Sequence, residues 1–149
     1  MVKLISCFIV FISLSINAQQ QGDMSFKPKN TIRTFSQEQS PLVLLDEAHY
    51  NFHTMDGRYR PFVNILKSDG YLVKKNKEPF TKERLAHADI LIISNALNVK
   101  NVKNWSLPNY SAFSRDEIEV VYQWVKNGGS LFLIADHMPF PEAAEDLAA

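Results

Sequence analysis

Three apolar segments that do not alternate with polar residues most constrain the fold of this chain. They cover 42–45 (LVLL), 89–97 (DILIISNAL) and 130–137 (SLFLIADH). Strands of this composition are buried on both faces, which is typical of parallel sheets covered by helices. A weaker strand at 71–75 (YLVKK) carries two lysines, which favours a position at the sheet edge.

Helical patterns separate these strands. Ser114 and Glu117 have the spacing of a capping box, in which each side chain satisfies a free backbone N–H at the helix start. Phe113 precedes this cap and can pack against Ile118, and Gly128 is placed to end the helix. The other predicted helices cover 58–70, 81–88 and a segment that begins near Pro141.

Alternation of strands and helices predicts an α/β fold, a three-layer sandwich with a parallel sheet between helices. Right-handed crossovers leave few topologies, and we expect the strand order 2-1-3-4. The sequence ends inside a helical pattern, and an apolar fourth strand makes a poor sheet edge. We therefore expect the domain to be truncated at its C-terminus.

The N-terminal residues resemble a secretory leader. Lys3 precedes an apolar run at 4–16, and Ala18 is the small residue expected at a cleavage site. A spanning helix needs about 20 apolar residues, so a stable membrane span after cleavage is not expected. We predict a signal peptide at 1–18, a polar linker at 19–40 and one domain at 41–149, exported to the periplasm or beyond the cell.

Charge and cysteine content exclude several functions. Sixteen basic residues balance sixteen acidic ones, so the chain lacks the excess positive charge that marks nucleic-acid binding. Cys7 is the only cysteine, and it lies in the predicted leader. The mature protein would therefore have no disulfide, no thiolate metal ligand and no cysteine nucleophile.

The letters DEAH follow the first strand at Asp46–His49, as they do in nucleotide-driven helicases. Such motors also need a glycine-rich phosphate loop that ends in Lys-Ser or Lys-Thr. None of the five glycines is followed by that pair. The sequence therefore excludes a nucleotide-driven motor.

Polar residues instead cluster where the apolar strands end. In open parallel α/β sheets, ligands bind beyond the carboxyl ends of the strands, near the switch in strand order. In the order 2-1-3-4 the ends of strands 1, 3 and 4 are neighbours, so their polar residues should share one rim. The candidate ligand-binding residues at this rim are Asp46, Glu47, His49, Asn51, His53, Arg58, Asn95, Asp136 and His137.

Two chemistries suit this rim. His49, His53, Asp136 and His137 could hold a divalent metal such as zinc, with one position open for water. Alternatively, a histidine beside a carboxylate could act as a general base on a bound substrate. The structural alternative is that the aspartates cap the following helices and the histidines make ordinary hydrogen bonds.

An aromatic loop follows the third strand, at 105–113 (WSLPNYSAF). Trp105, Tyr110 and Phe113 could stack on a sugar or cover the rim, or simply pack on the surface.

Three longer segments carry a family resemblance: LLDEAHYNFHTMDGRYRPF, ADILIISNAL and AFSRDEIEVVYQWVKNGGSLFLIADHMPF. From Pro41 onward the chain resembles uncharacterised bacterial exported proteins with a domain similar to class I glutamine amidotransferases, a flavodoxin-like fold. That resemblance implies the fold and the position of the rim. Members generally run longer, in agreement with a truncated domain. Since the mature chain has no cysteine, glutamine hydrolysis by the amidotransferase mechanism is excluded.

The sequence thus predicts an exported domain that binds a small molecule or carbohydrate at its rim. The alternative is a hydrolase assisted by a metal or by a His/Asp pair at the same rim.

Overall fold

A computed structural model of the protein describes residues 21–29 and 32–149. The predicted signal peptide lies outside the described residues. The described part of the chain forms four strands and four α-helices. They are β1 (Leu42–Asp46), α1 (Arg60–Asp69), β2 (Leu72–Asn76), α2 (Lys82–Leu85), β3 (Ile90–Ser94), α3 (Arg115–Lys126), β4 (Ser130–Ile134) and α4 (Phe140–Ala148).

The strands form one parallel sheet in the order β2-β1-β3-β4. Val43 of β1 is in register with Val73 on one side and Ile90 on the other, and Ile92 of β3 is in register with Phe132 of β4. The predicted strand order and the predicted α/β class are both confirmed. The architecture is that of a flavodoxin-like three-layer sandwich.

Apolar side chains fill both faces of the sheet. One cluster lies on the side of α1, and the other lies on the side of α2 and α3. The first contains Val43, Leu45, Val63, Val73 and Ile92. The second contains Leu44, Phe80, Leu85, Ala88, Leu91, Ile93, Ala96, Phe113 and Val121. Burial on both faces explains why β1 and β3 read as continuous apolar runs.

Helix ends follow the sequence signals closely. Both halves of the predicted capping box at Ser114 and Glu117 form at the start of α3. Helix α1 ends at Gly70, whose φ of 104° is easily adopted only by a residue without a side chain. The predicted positions of these two helices are therefore confirmed.

Helix α2 is shorter than the predicted segment 81–88. Thr81 caps it by accepting a hydrogen bond from the Arg84 backbone N–H at 3.3 Å, as predicted. The helix ends early because Asp89 must enter the sheet, where its N–H donates to the Leu42 carbonyl at 2.9 Å. Leu85 alone on this helix is fully buried.

Strand β4 corrects one prediction. The sequence suggested a buried strand over 130–137, but β4 ends at Ile134 and is only partly buried. Its place at the edge of the described sheet, with β3 as its neighbour, is the one that the predicted strand order gives it. Phe132 is 52% exposed. Apolar content shows that a strand can be buried on both faces, but it does not reveal whether the strand has two neighbours.

The described part of the predicted linker contacts the domain near the end of α1. The Thr34 N–H donates to the carboxylate of Asp69 at 3.0 Å. The ring of Phe35 meets Tyr71 edge-on, with 4.9 Å between centroids. These contacts tie the segment that enters β1 to the amino-terminal side of the sheet.

Candidate functional site

The carboxyl end of β1 carries a buried carboxylate with many hydrogen bonds. Asp46 is 0% exposed. Its side chain accepts hydrogen bonds from His49 Nδ1 at 2.8 Å, Asn51 Nδ2 at 2.9 Å and Asn76 Nδ2 at 3.3 Å. The Ala48 N–H adds another at 3.2 Å. Asp46 therefore organises the loop after β1, and it does not cap α1, which begins later at Arg60.

His49 bridges two carboxylates. Its Nδ1 lies 2.8 Å from Asp46 Oδ2, and its Nε2 lies 2.8 Å from Glu117 Oε1. The ring also packs against Phe80 and Phe113, at 4.8 and 4.7 Å between centroids. Because both ring nitrogens are engaged, His49 has no lone pair left for a metal ion in this arrangement.

The electrostatics of this bridge favour a charged imidazole. Burial of the ring disfavours the imidazolium, but the hydrogen bonds and charges of Asp46 and Glu117 outweigh burial and raise the pKa of His49. Burial also disfavours the charged form of Glu117. Hydrogen bonds from Ser114, His49 and the Phe80 backbone outweigh that effect and lower the pKa of Glu117.

Glu117 also belongs to this network. The sequence predicted only its role in the capping box. Its Oε2 accepts from the Ser114 N–H at 3.0 Å and from Ser114 Oγ at 2.8 Å. Its Oε1 accepts from the Phe80 N–H at 3.0 Å. One carboxylate thus joins the start of α3, the loop before α2 and the loop after β1. Its low exposure of 9% is the feature that the sequence does not reveal.

A second polar network joins the carboxyl ends of β3 and β4. Asn95 Nδ2 donates to Asp136 Oδ1 at 2.8 Å and lies 3.2 Å from His53 Nδ1. Asp136 Oδ1 also accepts from His137 Nδ1 at 2.8 Å. Ser94 Oγ, at the same strand end as Asn95, lies 3.2 Å from the same nitrogen of His53.

Hydrogen bonds also connect the two networks. Asn51 Nδ2 donates both to Asp46 Oδ2 and, at 3.3 Å, to the Ser94 carbonyl. The predicted convergence of three strand ends is therefore present. Within it, His49 and Asp46 are interior, while Asp136 and His137 face solvent, with side chains 41% and 51% exposed.

His53 and Asp136 differ in their electrostatic settings. Burial disfavours the charged form of the His53 ring, and the positive charges of Arg58 and His137 disfavour it further. The negative charge of Asp136 favours the charged form but does not outweigh them, so the pKa of His53 is lowered. At Asp136 burial is the largest single effect and disfavours the charged form, but the hydrogen bonds from Asn95 and His137 and the charge of His137 together outweigh it and lower the pKa of that carboxyl. Asp136 is therefore a stable anion beside His137.

Aromatic rings form one wall of this rim. Trp105 is 44% exposed and lies edge-on to His137, Phe140 and Phe52, at 6.2, 5.5 and 6.0 Å between centroids. The Arg58 guanidinium lies 4.0 Å from the centre of the Phe52 ring. The predicted nearness of the aromatic loop to the rim thus holds for Trp105.

Glu47 lies apart from these contacts. Its Oε1 accepts from the Met55 N–H at 2.8 Å, and its Oε2 lies 3.8 Å from Lys75 Nζ. It holds the loop between β1 and α1. Among residues 21–29 and 32–149, no group of three or more His, Cys, Asp or Glu side chains is arranged to hold a metal ion.

A groove of about 880 Å³ lies at the opposite edge of the sheet, where the strands begin. Trp124, Tyr71 and Phe35 line it together with Asp89 and Ser130, which directly precede or start β3 and β4. Its polar side chains do not form a network comparable to that of the rim. The two tryptophans of the chain therefore mark the two candidate sites, Trp105 the rim and Trp124 the groove.

Among the described helices, none is both long enough and apolar enough to cross a membrane.

Comparison with known proteins supports the fold. No protein-family model and no curated protein matches the chain. The chain is similar to the solved structure of the mmIFT52 N-terminal domain, with a TM-score of 0.51 and 16% sequence identity. The match covers 62% of this chain and 34% of that one. At this level of identity the similarity concerns the fold alone.

Proposed function

We propose that this domain binds a small polar ligand of the carbohydrate type at the rim formed by β1, β3 and β4. The observation that carries the proposal is the exposed Asp136–His137 pair beside the exposed Trp105 ring. Open α/β sheets hold their ligands at this edge. The buried networks behind the pair hold it in place.

The chemistry of these groups suits a sugar. A sugar ring has an apolar face that can lie on an indole, and hydroxyl groups that donate to carboxylates. Oδ1 of Asp136 accepts two hydrogen bonds within the described part of the chain, whereas Oδ2 accepts none there. That second oxygen is open to a ligand hydroxyl.

A second candidate function, hydrolysis, rests on the orientation of His137. Its Nδ1 is bonded to Asp136, which leaves Nε2 free of hydrogen bonds to the described residues and on the exposed side. A histidine oriented by a carboxylate in this way can take a proton from water. The hydroxyl of Ser94, beside His53, is 0% exposed, so the nucleophile in this mechanism is water.

The sequence supports two further parts of the proposal. The leader-like residues before the domain support export, which N-terminal sequencing of the protein recovered from the periplasm or medium would test. The segments around His49 and Asp136 support membership of the amidotransferase-like exported family. The absence of a cysteine after Ala18 supports a function other than glutamine hydrolysis.

The two tryptophans allow the binding site to be located directly. Trp124→Phe leaves Trp105 as the only indole, and Trp105→Phe leaves Trp124. We expect mono- and oligosaccharides of the bacterial envelope to change the fluorescence of Trp124→Phe but not that of Trp105→Phe. A change confined to Trp105→Phe would place binding at the groove and refute the rim proposal.

Hydrolysis is tested separately with chromogenic ester and glycoside substrates. His137→Ala should abolish turnover, whereas His87→Ala, which alters an exposed histidine far along the chain, should leave it unchanged. Turnover that survives His137→Ala would exclude the general-base role.

A further inference from the structure

Asn95 lies between the two rim histidines and contacts the environment of both. Its backbone has a φ of 49°, a conformation that asparagine adopts more readily than most residues. Its side chain is fully buried. A buried amide in this position determines which ring atoms nearby carry protons.

The orientation of the Asn95 amide is fixed by its neighbours. Oδ1 accepts from the Asp136 backbone N–H at 3.3 Å, so the NH₂ group must face the other way. It donates to Asp136 Oδ1 at 2.8 Å, and the reverse orientation would place two oxygens together. The NH₂ group therefore also faces His53 Nδ1, 3.2 Å away.

An NH₂ group can only donate, so its contact with His53 Nδ1 requires that nitrogen to be the unprotonated acceptor and Nε2 to carry the proton. Ser94 Oγ, at 3.2 Å from the same nitrogen, donates to Tyr59 at 2.9 Å and would favour a protonated Nδ1 instead. We assign the decision to Asn95, because its two bonds to Asp136 fix the direction of its NH₂ group.

His53 Nε2 makes no hydrogen bond to the described residues. Among the described residues, Asn109 Oδ1 is the only fully buried side-chain polar atom without a hydrogen-bond partner. Since His53 Nε2 also has no partner there, it cannot be fully buried and must reach solvent. His53 thus offers an N–H donor at the rim.

His137 has the opposite arrangement. The Asp136 carboxylate can only accept, so the hydrogen bond of 2.8 Å requires a proton on His137 Nδ1. In the neutral ring, Nε2 is then an acceptor. The two histidines therefore differ in which nitrogen carries the proton. Asn95 contacts His53 directly and is bonded to Asp136, which holds His137.

We propose that Asn95 and Asp136 fix His53 and His137 in opposite tautomers, so that the rim offers one ligand an N–H donor and a nitrogen acceptor together. This inference rests on the proposed function of the rim as a binding site. The ligand that fits carries an acceptor oxygen next to a hydroxyl group, the pattern of sugars and hydroxy acids. In the hydrolase alternative, the same pair would polarise a carbonyl oxygen and activate a water.

Asn95 is here a positioning residue, and its role can be measured without any ligand. Protein labelled with ¹⁵N at histidine reports the tautomer of each ring through its two-bond ¹⁵N–¹H couplings. When the spectra show both rings to be neutral, we expect the Nε2–H form for His53 and the Nδ1–H form for His137. The same tautomer at both rings would overturn the inference.

Two variants separate the two rings. Asn95→Gly tolerates the left-handed backbone and removes the amide, so His53 should become a mixture of tautomers while His137 keeps Nδ1–H. Asp136→Asn should change His137 and leave His53 as it was. An unchanged His53 in Asn95→Gly would overturn the role of Asn95.

A binding measurement distinguishes this inference from the proposed function. A saccharide that changes Trp105 fluorescence should bind about tenfold more weakly to Asn95→Gly, the effect of one mispaired hydrogen bond. If no saccharide binds but the tautomers are as expected, the proposed function fails and the tautomer assignment stands. If a saccharide binds but the tautomers agree with each other, only this inference fails.

Discussion

Replacement of His49 by alanine tests the buried bridge that its ring makes between two carboxylates. The ring links Asp46 at the end of β1 to Glu117 at the start of α3, with both contacts at 2.8 Å and both partners largely buried. Its removal leaves two carboxylates facing a space where a cation had been. We expect a large loss of stability.

The magnitude follows from the remaining partners. Two hydrogen bonds to charged groups are worth about 1.5–3 kcal/mol each. Asp46 keeps its bonds from Ala48, Asn51 and Asn76, and Glu117 keeps those from Ser114 and Phe80. These bonds limit the penalty, so we expect His49→Ala to cost about 3–5 kcal/mol, the usual range for one partner removed from a buried ion pair.

Urea or thermal unfolding followed by circular dichroism measures this loss. For a domain of this size, about 4 °C per kcal/mol predicts a fall in Tm of about 12–20 °C. The matched control is His87→Ala, since His87 is exposed and should change stability by less than about 0.5 kcal/mol. A loss below about 1 kcal/mol for His49→Ala would refute the bridge as a stabilising contact.

The pH dependence of the stability that His49 contributes tests its electrostatic origin, with His49→Gln as the uncharged variant. The folded-state pKa of His49 is raised above the ordinary value of 6.5, so its contribution is fully present below 6.5 and is lost as pH rises through the folded-state pKa. A neutral imidazole has one N–H and cannot donate to two carboxylates. The stability difference between wild type and His49→Gln should therefore shrink as pH rises from about 6 to 9. A difference that grows would contradict the charged bridge.

Three further predictions concern the ends of elements and the rim. Ser114→Ala should cost about 0.5–2 kcal/mol in urea unfolding because it removes the cap of α3, whereas Ser106→Ala, on the exposed loop, should cost almost nothing. Gly70→Ala should destabilise more than Gly128→Ala in the same assay, because both have a φ near +103° but a Cβ at Gly70 would also collide with the Phe35 carbonyl. His137→Ala should lower the Tm by less than about 4 °C because its side chain is 51% exposed, and a larger fall would mark it as structural.

The sequence predicted the fold well because local and global signals agree in this chain. Non-alternating apolar strands, a capping box at Ser114 and a glycine stop at Gly70 each point to the same architecture. The edge position of β4 followed from the predicted strand order, whereas its shorter length and the 52% exposure of Phe132 did not follow from its apolar content. The carboxyl-end rim was predicted from strand order alone, and its polar residues do converge there.

What the sequence could not provide is which side chains at the rim are buried. Glu117 lies far along the chain from His49 and has an evident local role as a helix cap. Only the packing of α3 against the loop after β1 makes its second oxygen available to His49. A capping glutamate whose helix starts beside a polar strand end is the signal that could have suggested this contact.

The spacing of His49 and His53 suggested that they share a metal ion, but in the structure the two rings belong to different hydrogen-bond networks. His49 points inward, where two carboxylates hold both of its nitrogens. His53 accepts through Nδ1 at the base of the exposed network and keeps Nε2 for the solvent side. Asn51, between them in the chain, donates to Asp46 and to the Ser94 carbonyl and so links the two networks. Loss of this residue should therefore disturb both networks at once, so we expect Asn51→Ala to lower both the stability in urea unfolding and the affinity for a ligand at the rim.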